Sequence, residues 1–164
     1  MKSQLELLED KIFSIDSIKP MILKWKYFGE KIVFTNGCFD ILHLGHIEYL
    51  AKAADLGNHL VVGLNTDSSI HKLKGPQRPV ISEQARQYIL ASLKFVDAVI
   101  LFDEETPYNL IASIIPDILV KGDDYKAEEI VGYDIVKNNG GEVRTITLTP
   151  GYSSSSIIKK IQGI

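Results

Sequence analysis

Short apolar runs rich in β-branched and aromatic residues alternate with helical patterns along most of the chain, and no other feature restricts its fold as much. "KIVFTN" (31–36), "HLVVGLN" (59–65), "VDAVILF" (96–102), "DILVKG" (117–122) and "EVRTITL" (142–148) read as strands. "GHIEYLAKAADLG" (45–57), "SEQARQYILASLKF" (82–95), "TPYNLIASII" (106–115), "KAEEIVGYDIVKNNGG" (126–141) and "SSSSIIKKIQ" (153–162) read as helices. Gly57 closes the first of these, Ser82 caps the second, and Thr106 with Pro107 behind it opens the third. Strands and helices alternating through short turns predict an α/β fold, a Rossmann-like doubly wound parallel sheet of five strands with helices on both faces. Residues 1–30 precede the alternation and read as a helical extension packed on the domain 31–164, with Trp25 and Tyr27 available to lie against the sheet.

At 164 residues the chain can bury a core without disulfides or metals. An apolar fraction of 45% and a charged fraction of 24% are those of a soluble globular protein, and a net charge of −3 gives no reason to expect a nucleic-acid partner. Cys38 is the single cysteine, which excludes an intrachain disulfide and fits a reducing compartment. "MKSQLELLEDKIF" has acids among its apolar residues and no signal-type run, and no stretch is long enough to span a membrane. The expectation is a cytoplasmic protein.

In an open parallel sheet, ligands bind beyond the carboxyl ends of the strands, near the point where strand order reverses. Four stretches are therefore of interest: Thr35–Phe39, Asn65–Ser68, Lys121–Tyr125 and Thr149–Ser155. The connection 66–81, "TDSSIHKLKGPQRPVI", is long and rich in cations, and connections of that length are often functional. Within "VFTNGCFDILHLGHIEYL" (33–50), His43 and His46 flank Gly45 where a strand runs into a helix. Glycine there lets the backbone approach a ligand, and the free N–H groups of a helix start form an anion site. Two imidazoles beside it can donate to phosphate oxygens and take on charge as negative charge builds, as transfer from a triphosphate requires. For a lone histidine, capping or packing would be the better reading.

"GCFDILHLGHIEYL" resembles the signature of the cytidylyltransferase-like nucleotidyltransferases, whose hallmark is His-x-Gly-His after the first strand. The resemblance continues in order through "GLNTDSSIHKLKGPQRPVI", "LASLKFVDAVILFDEETPYNLIASIIPDILVKGDDY" and "GGEVRTITLTPGYSSSSIIKKI", covering the chain from about Lys11 onward. Within the family it is most similar to the adenylyltransferase domains of ADP-heptose synthases, here without a sugar-kinase domain. The resemblance implies transfer of AMP from ATP, with Mg²⁺, to a phosphorylated small-molecule acceptor, releasing pyrophosphate. A homodimer is a further expectation carried by similar enzymes.

Residue by residue, the resemblance makes His43, His46 and Lys74 the catalytic set, with the histidines on the triphosphate and Lys74 as a mobile-loop cation. Thr35, Gly37, Cys38, Phe39, Asp40 and Gly45 form one nucleotide- and phosphate-binding stretch, and Lys121, Gly122 and Asp124 a second. Asp40 also reads as a turn carboxylate, and Cys38 as a small buried residue. Ser153, Ser154 and Ser155 stand where many relatives read Ser-Thr-Thr, and form a second phosphate cradle at a helix start. Plain N-capping would need only one of them. Asn65, Asp67, Arg78 and Arg86 are acceptor-side candidates. For Arg78, stiffening of a proline-rich loop is the alternative; Arg86 stands where the resemblance implies a substrate- or loop-contacting arginine, with a solvated helix face as the alternative. No protein metal cluster is expected, so Mg²⁺ would travel with the ATP phosphates. "KGDDY" departs from the Gly-Gly-Asp of heptose enzymes toward the Gly-Asp-Asp and following aromatic of glycerol-3-phosphate cytidylyltransferases. CTP with glycerol 3-phosphate and ATP with flavin mononucleotide therefore remain alternative substrates. A nucleotide-binding sensor is the alternative outside enzymes, against which the three catalytic residues argue.

Overall fold

The computed structural model describes residues 2–124 and 126–163. Its order is α1 (Gln4–Glu9), β1 (Ile12–Phe13), α2 (Lys19–Tyr27), β2 (Ile32–Gly37), α3 (Leu44–Ala54), β3 (His59–Asn65), α4 (Asp67–Lys74), α5 (Glu83–Ala91), β4 (Ala98–Phe102), α6 (Tyr108–Ile114), β5 (Ile118–Gly122), a 3₁₀ turn (Ala127–Glu129), α7 (Tyr133–Asn138), β6 (Glu142–Ile146) and α8 (Ser154–Gln162). The strands form one parallel sheet in the order β1-β4-β3-β2-β5-β6. Six strands are present among the described residues, where the sequence pattern gives five. The extra strand is β1, whose Ile12 and Phe13 pair with Val99 and Ile100 at the edge.

Side chains alternate across the sheet, and both faces are covered. Ile32 and Phe34 point into a core shared with Ile22 and Trp25 of α2, Ile111 of α6 and Val136 of α7. Val33 and Val62 point into the other, with Leu50 of α3 and Leu90 of α5. Within the segment 1–30, which holds α1, β1 and α2, β1 joins the sheet, α2 packs on it, and Trp25 stacks on His59 at 4.1 Å between ring centroids. Tyr27 does not pack on the sheet; at 86% exposure it is solvated.

Several helix boundaries depart from the sequence reading: α3 ends at Ala54 with Asp55 as its cap, so Gly57 does not close it, and α5 ends at Ala91 rather than running to Phe95. α6 starts one residue after Pro107, which occupies the cap position without a side-chain bond, so Thr106 is not its cap. The helix expected over 126–141 is broken, because Gly132 sits at φ 89 in front of α7 and only a short 3₁₀ turn precedes it. Half of the connection 66–81 is the helix α4, capped by Thr66, whose side chain accepts from the Ser69 N–H, and ended by Gly75 at φ 89.

Strand order reverses between β2 and β5, since β3 and β4 lie to one side of β2 and β6 beyond β5. The chain therefore diverges after Gly37 and after Gly122, and a crevice opens between the two strand ends.

Candidate active site

A cleft of about 480 Å³ fills this crevice. Its floor is Asn36–Asp40 at the end of β2 and Lys121, Gly122 and Asp124 at the end of β5; its walls are His43, Gly45, His46 and Tyr49 around the start of α3, Leu148, Thr149, Tyr152 and Ser153 ahead of α8, and Ser154 and Ser155 at its start. Lys74 and Arg78 reach it from the connection after β3. Pockets of this size and polarity at a switch point are where small ligands bind.

The two histidines are built by the start of α3. His43 is the N-cap, with extended backbone, and its Nδ1 accepts from the His46 N–H at 3.4 Å. One helical turn on, the His46 ring stacks over it, with centroids 3.8 Å apart and planes 18° from parallel. Phe39 closes the far side of His46, edge to face at 5.3 Å. Glycine at position 45 leaves this packing undisturbed: a Cβ there would lie 3.2 Å from His43 Nδ1 and 3.3 Å from Tyr152 Cβ, so both would have to shift by a few tenths of an ångström. The glycine thus serves the histidine stack as well as any ligand.

Burial lowers the pKa of His43, and that of His46 falls to about 4 through burial first, then the neighbouring His43 and Lys74. These shifts favour a neutral unliganded pair at neutral pH, so that charge is taken on only as phosphate charge arrives. The fixed cation of the cleft is Lys121. It is mostly buried at the end of β5, donates to the Asn36 carbonyl at 3.4 Å, and is lowered to about 8 by burial against the pull of Asp124.

The second cradle is the start of α8. Ser153 caps the helix by accepting from the Ser156 N–H at 3.0 Å, and Ser154 donates to the Ile41 carbonyl at 3.1 Å, tying α8 to the turn before α3. Ser155 also lines the cleft, and Thr149 donates to Glu48 on α3. Two helix N-termini therefore border one cavity, a favourable field for a polyanion.

Other expected site residues stand outside the cleft. Thr35 is buried beneath it with its hydroxyl 2.7 Å from Tyr49 Oη. Asn65 donates to Ser69 Oγ at 3.0 Å. Arg86 is not solvated and makes the loop contacts of the expected alternatives: it is 1% exposed and donates to the carbonyls of Ile81, Cys38 and Asn65 and to Asp67 Oδ1 at 2.7–2.9 Å. The planar guanidinium is satisfied on all sides, which makes Arg86 and Asp67 a staple between the β2 and β3 ends and the segment before α5. Conversely, Asn36, Tyr49, Leu148, Thr149 and Tyr152 line the cleft without having been singled out. The strand-end rule had enclosed all but Tyr49 and Leu148; the aromatic near the serine cluster was the available signal.

Residues 34–160 match the family model described as cytidylyltransferase-like. The chain belongs to the cytidylyltransferase-like family. It is a domain of the nucleotidyltransferase type, as the His-x-Gly-His stretch led one to expect. It is 53% identical over 152 residues to the bifunctional protein HldE of Methylobacillus flagellatus, covering 93% of this chain and 31% of that protein. To the HldE of Aeromonas salmonicida it is 57% identical over 134 residues, 82% of this chain and 28% of that one. The chain thus spans about a third of the length of these relatives. Among solved structures, the lipopolysaccharide core biosynthesis protein from Thermoplasma volcanium matches with a TM-score of 0.60 at 34% identity, over 74% of this chain and 98% of that one. Pantoate-beta-alanine ligase from Francisella tularensis, 18% identical over 93% of this chain and 78% of that one, shares the fold with a TM-score of 0.60. No helix among the described residues is long and apolar enough to cross a membrane.

Proposed function

We propose that this chain transfers AMP from ATP to a sugar 1-phosphate, D-glycero-D-manno-heptose 1-phosphate, releasing pyrophosphate and forming ADP-heptose. The observation that carries the chemistry is the stacked His43–His46 pair at one helix N-terminus, facing the serine-bearing N-terminus of α8 across a cleft floored by Lys121. The arrangement has donors for many phosphate oxygens, as a triphosphate demands. The acceptor follows the likeness to ADP-heptose synthases in "LKGPQRPV", "FDEETPYNLI" and "DILVKGDDYKAEEIVG".

An oxygen of the acceptor phosphate attacks the α-phosphorus while the bond from that phosphorus to the bridging oxygen of pyrophosphate breaks. The nucleophile is already an anion, so no general base is required, and catalysis is positioning plus charge stabilisation. His43 and His46 donate to the phosphate oxygens and gain protons as charge grows there. Lys121 holds charge from below, and Lys74 approaches from the exposed end of α4 to neutralise the leaving group.

Magnesium carried by ATP fits these donors. Among the described residues no cluster of three His, Cys, Asp or Glu is placed to hold a metal, and Mg²⁺ favours phosphate oxygens, waters and one or two carboxylates. Asp124 is the cleft carboxylate that would help to hold it, adding positive charge at the phosphates.

The second aspartate of the Gly-Asp-Asp motif, Asp124, lines the cleft and is the residue that bears on base choice. Asp123 does not line the cleft; its Oδ1 accepts from the Leu148 N–H at 3.4 Å and ties β5 to the segment after β6. Tyr125, the aromatic of that motif, lies outside the described residues. The test is pyrophosphate release with ATP or CTP against heptose 1-phosphate, glycerol 3-phosphate and flavin mononucleotide. Preference for ATP with heptose 1-phosphate is expected; preference for CTP with glycerol 3-phosphate would refute the heptose assignment alone.

A further inference from the structure

We infer that Asp40 is a positioning residue that sets where Lys74 stands, by latching the segment 78–81 to the turn after β2. The inference rests on the proposed nucleotidyl transfer. Asp40 lies three residues before His43 and is 1% exposed. Its Oδ2 accepts from Arg78 Nε at 2.6 Å, and its Oδ1 accepts from the N–H groups of Val80 at 2.8 Å and Ile81 at 3.0 Å. A buried carboxylate whose bonds all go to one segment is a clamp on that segment, with its oxygens already committed rather than turned to a nucleotide.

The clamp matters because of what lies between its ends. The connection after β3 is fixed at its start, where Ile70 is fully buried and Arg86 bonds the Asn65 carbonyl. It is fixed again at its end by Asp40 and by Arg86 on the Ile81 carbonyl. From His71 to Lys74 the chain is exposed, and Gly75 at φ 89 turns it with open space around it. Lys74 sits in this stretch, reaches the cleft, and is near enough to His46 to depress its protonation. Its reach is therefore set by two anchors, and the Asp40–Arg78 ion pair is the one tied directly to the histidine turn. A buried ion pair contributes little net stability but can specify one geometry, which is the role given to it here. Misplacement of a reacting group by about 1 Å costs roughly a hundredfold in rate.

The test is a double-mutant cycle on kcat for pyrophosphate release, with ATP affinity measured alongside. Asp40→Asn should lower kcat by roughly ten- to a hundredfold while changing the Kd for ATP less than about threefold. In a Lys74→Ala background, Asp40→Asn should cost less than about threefold more, because the group it positions is gone. Arg78→Lys, which removes the guanidinium end of the latch, should follow the same pattern. Multiplicative losses would mean general damage and would overturn the inference. An independent arm is trypsin cleavage after Lys72 and Lys74, which should run at least about fivefold faster in folded Asp40→Asn than in wild type. Unchanged cleavage also overturns it. A wild-type chain that binds ATP but never releases pyrophosphate removes the transfer reading, and the positioning role with it; faster cleavage would then show only the clamp.

Discussion

Replacing Lys121 by methionine should stabilise the fold while disabling the cleft. The side chain is mostly buried at the end of β5, and its one hydrogen bond among the described residues, to the Asn36 carbonyl, is long at 3.4 Å. Burial lowers its pKa from 10.5 to about 8. At about 1.4 kcal/mol per pH unit, holding this ammonium in the folded state costs about 3 kcal/mol relative to water. The folded pKa lies below the unfolded one, so the unfolded chain binds more protons between pH 8 and 10.5. Wild-type stability therefore rises through that window, and the deficit is complete below about pH 8. Methionine keeps the reach and removes the charge. Allowing for the lost hydrogen bond and the altered shape, about half of the deficit, 1–2 kcal/mol, should be recovered at pH 7. For a chain of this size that is a rise in Tm of about 3–6 °C. Thermal unfolding followed by circular dichroism at pH 7 and 10.5 measures it. The gain should shrink at the higher pH. A Tm at pH 7 equal to or below wild type, or a gain of the same size at both pH values, would refute the reasoning.

His43→Ala and His46→Ala should each cut turnover by roughly a hundredfold or more with the circular dichroism spectrum retained, and wild-type turnover in either would return that histidine to a packing role. Arg86→Met should destabilise by about 3–5 kcal/mol in urea unfolding, because buried carbonyls of Cys38, Asn65 and Ile81 lose their donor; a loss under about 1 kcal/mol would contradict the staple. ATP binding at pH 6 should take up protons, since His46 starts near 4 and phosphate charge raises it. Calorimetric enthalpies that do not depend on the buffer's ionisation enthalpy would speak against that.

The sheet was legible because β2 to β5 are buried on both faces, and such strands read as unbroken apolar runs. β1 was not, since Ile12 and Phe13 are too few to carry a period. α4 was hidden by a polar surface: only Ser69 and Ile70 are buried in it, although Thr66 as cap was there to be seen. At the site, His43, His46 and the serine cluster could be found because local spacing places them at helix starts. A turn carboxylate at Asp40 and a loop contact at Arg86 were within reach, but their partners were not, because these lie 38–41 and 5–48 residues away and include backbone carbonyls and N–H groups that leave no mark in composition. The protonation of the histidines was likewise invisible, since burial and the nearness of Lys74 are properties of the folded chain.

The central claim is direct transfer in this cleft, driven by charge stabilisation and without a covalent intermediate. Rapid-quench measurement of pyrophosphate from wild-type protein and ATP, with and without heptose 1-phosphate, tests it most directly. The account predicts no pyrophosphate without acceptor, and with it one pyrophosphate for each ADP-sugar formed. A burst of pyrophosphate stoichiometric with protein in the absence of acceptor would contradict it.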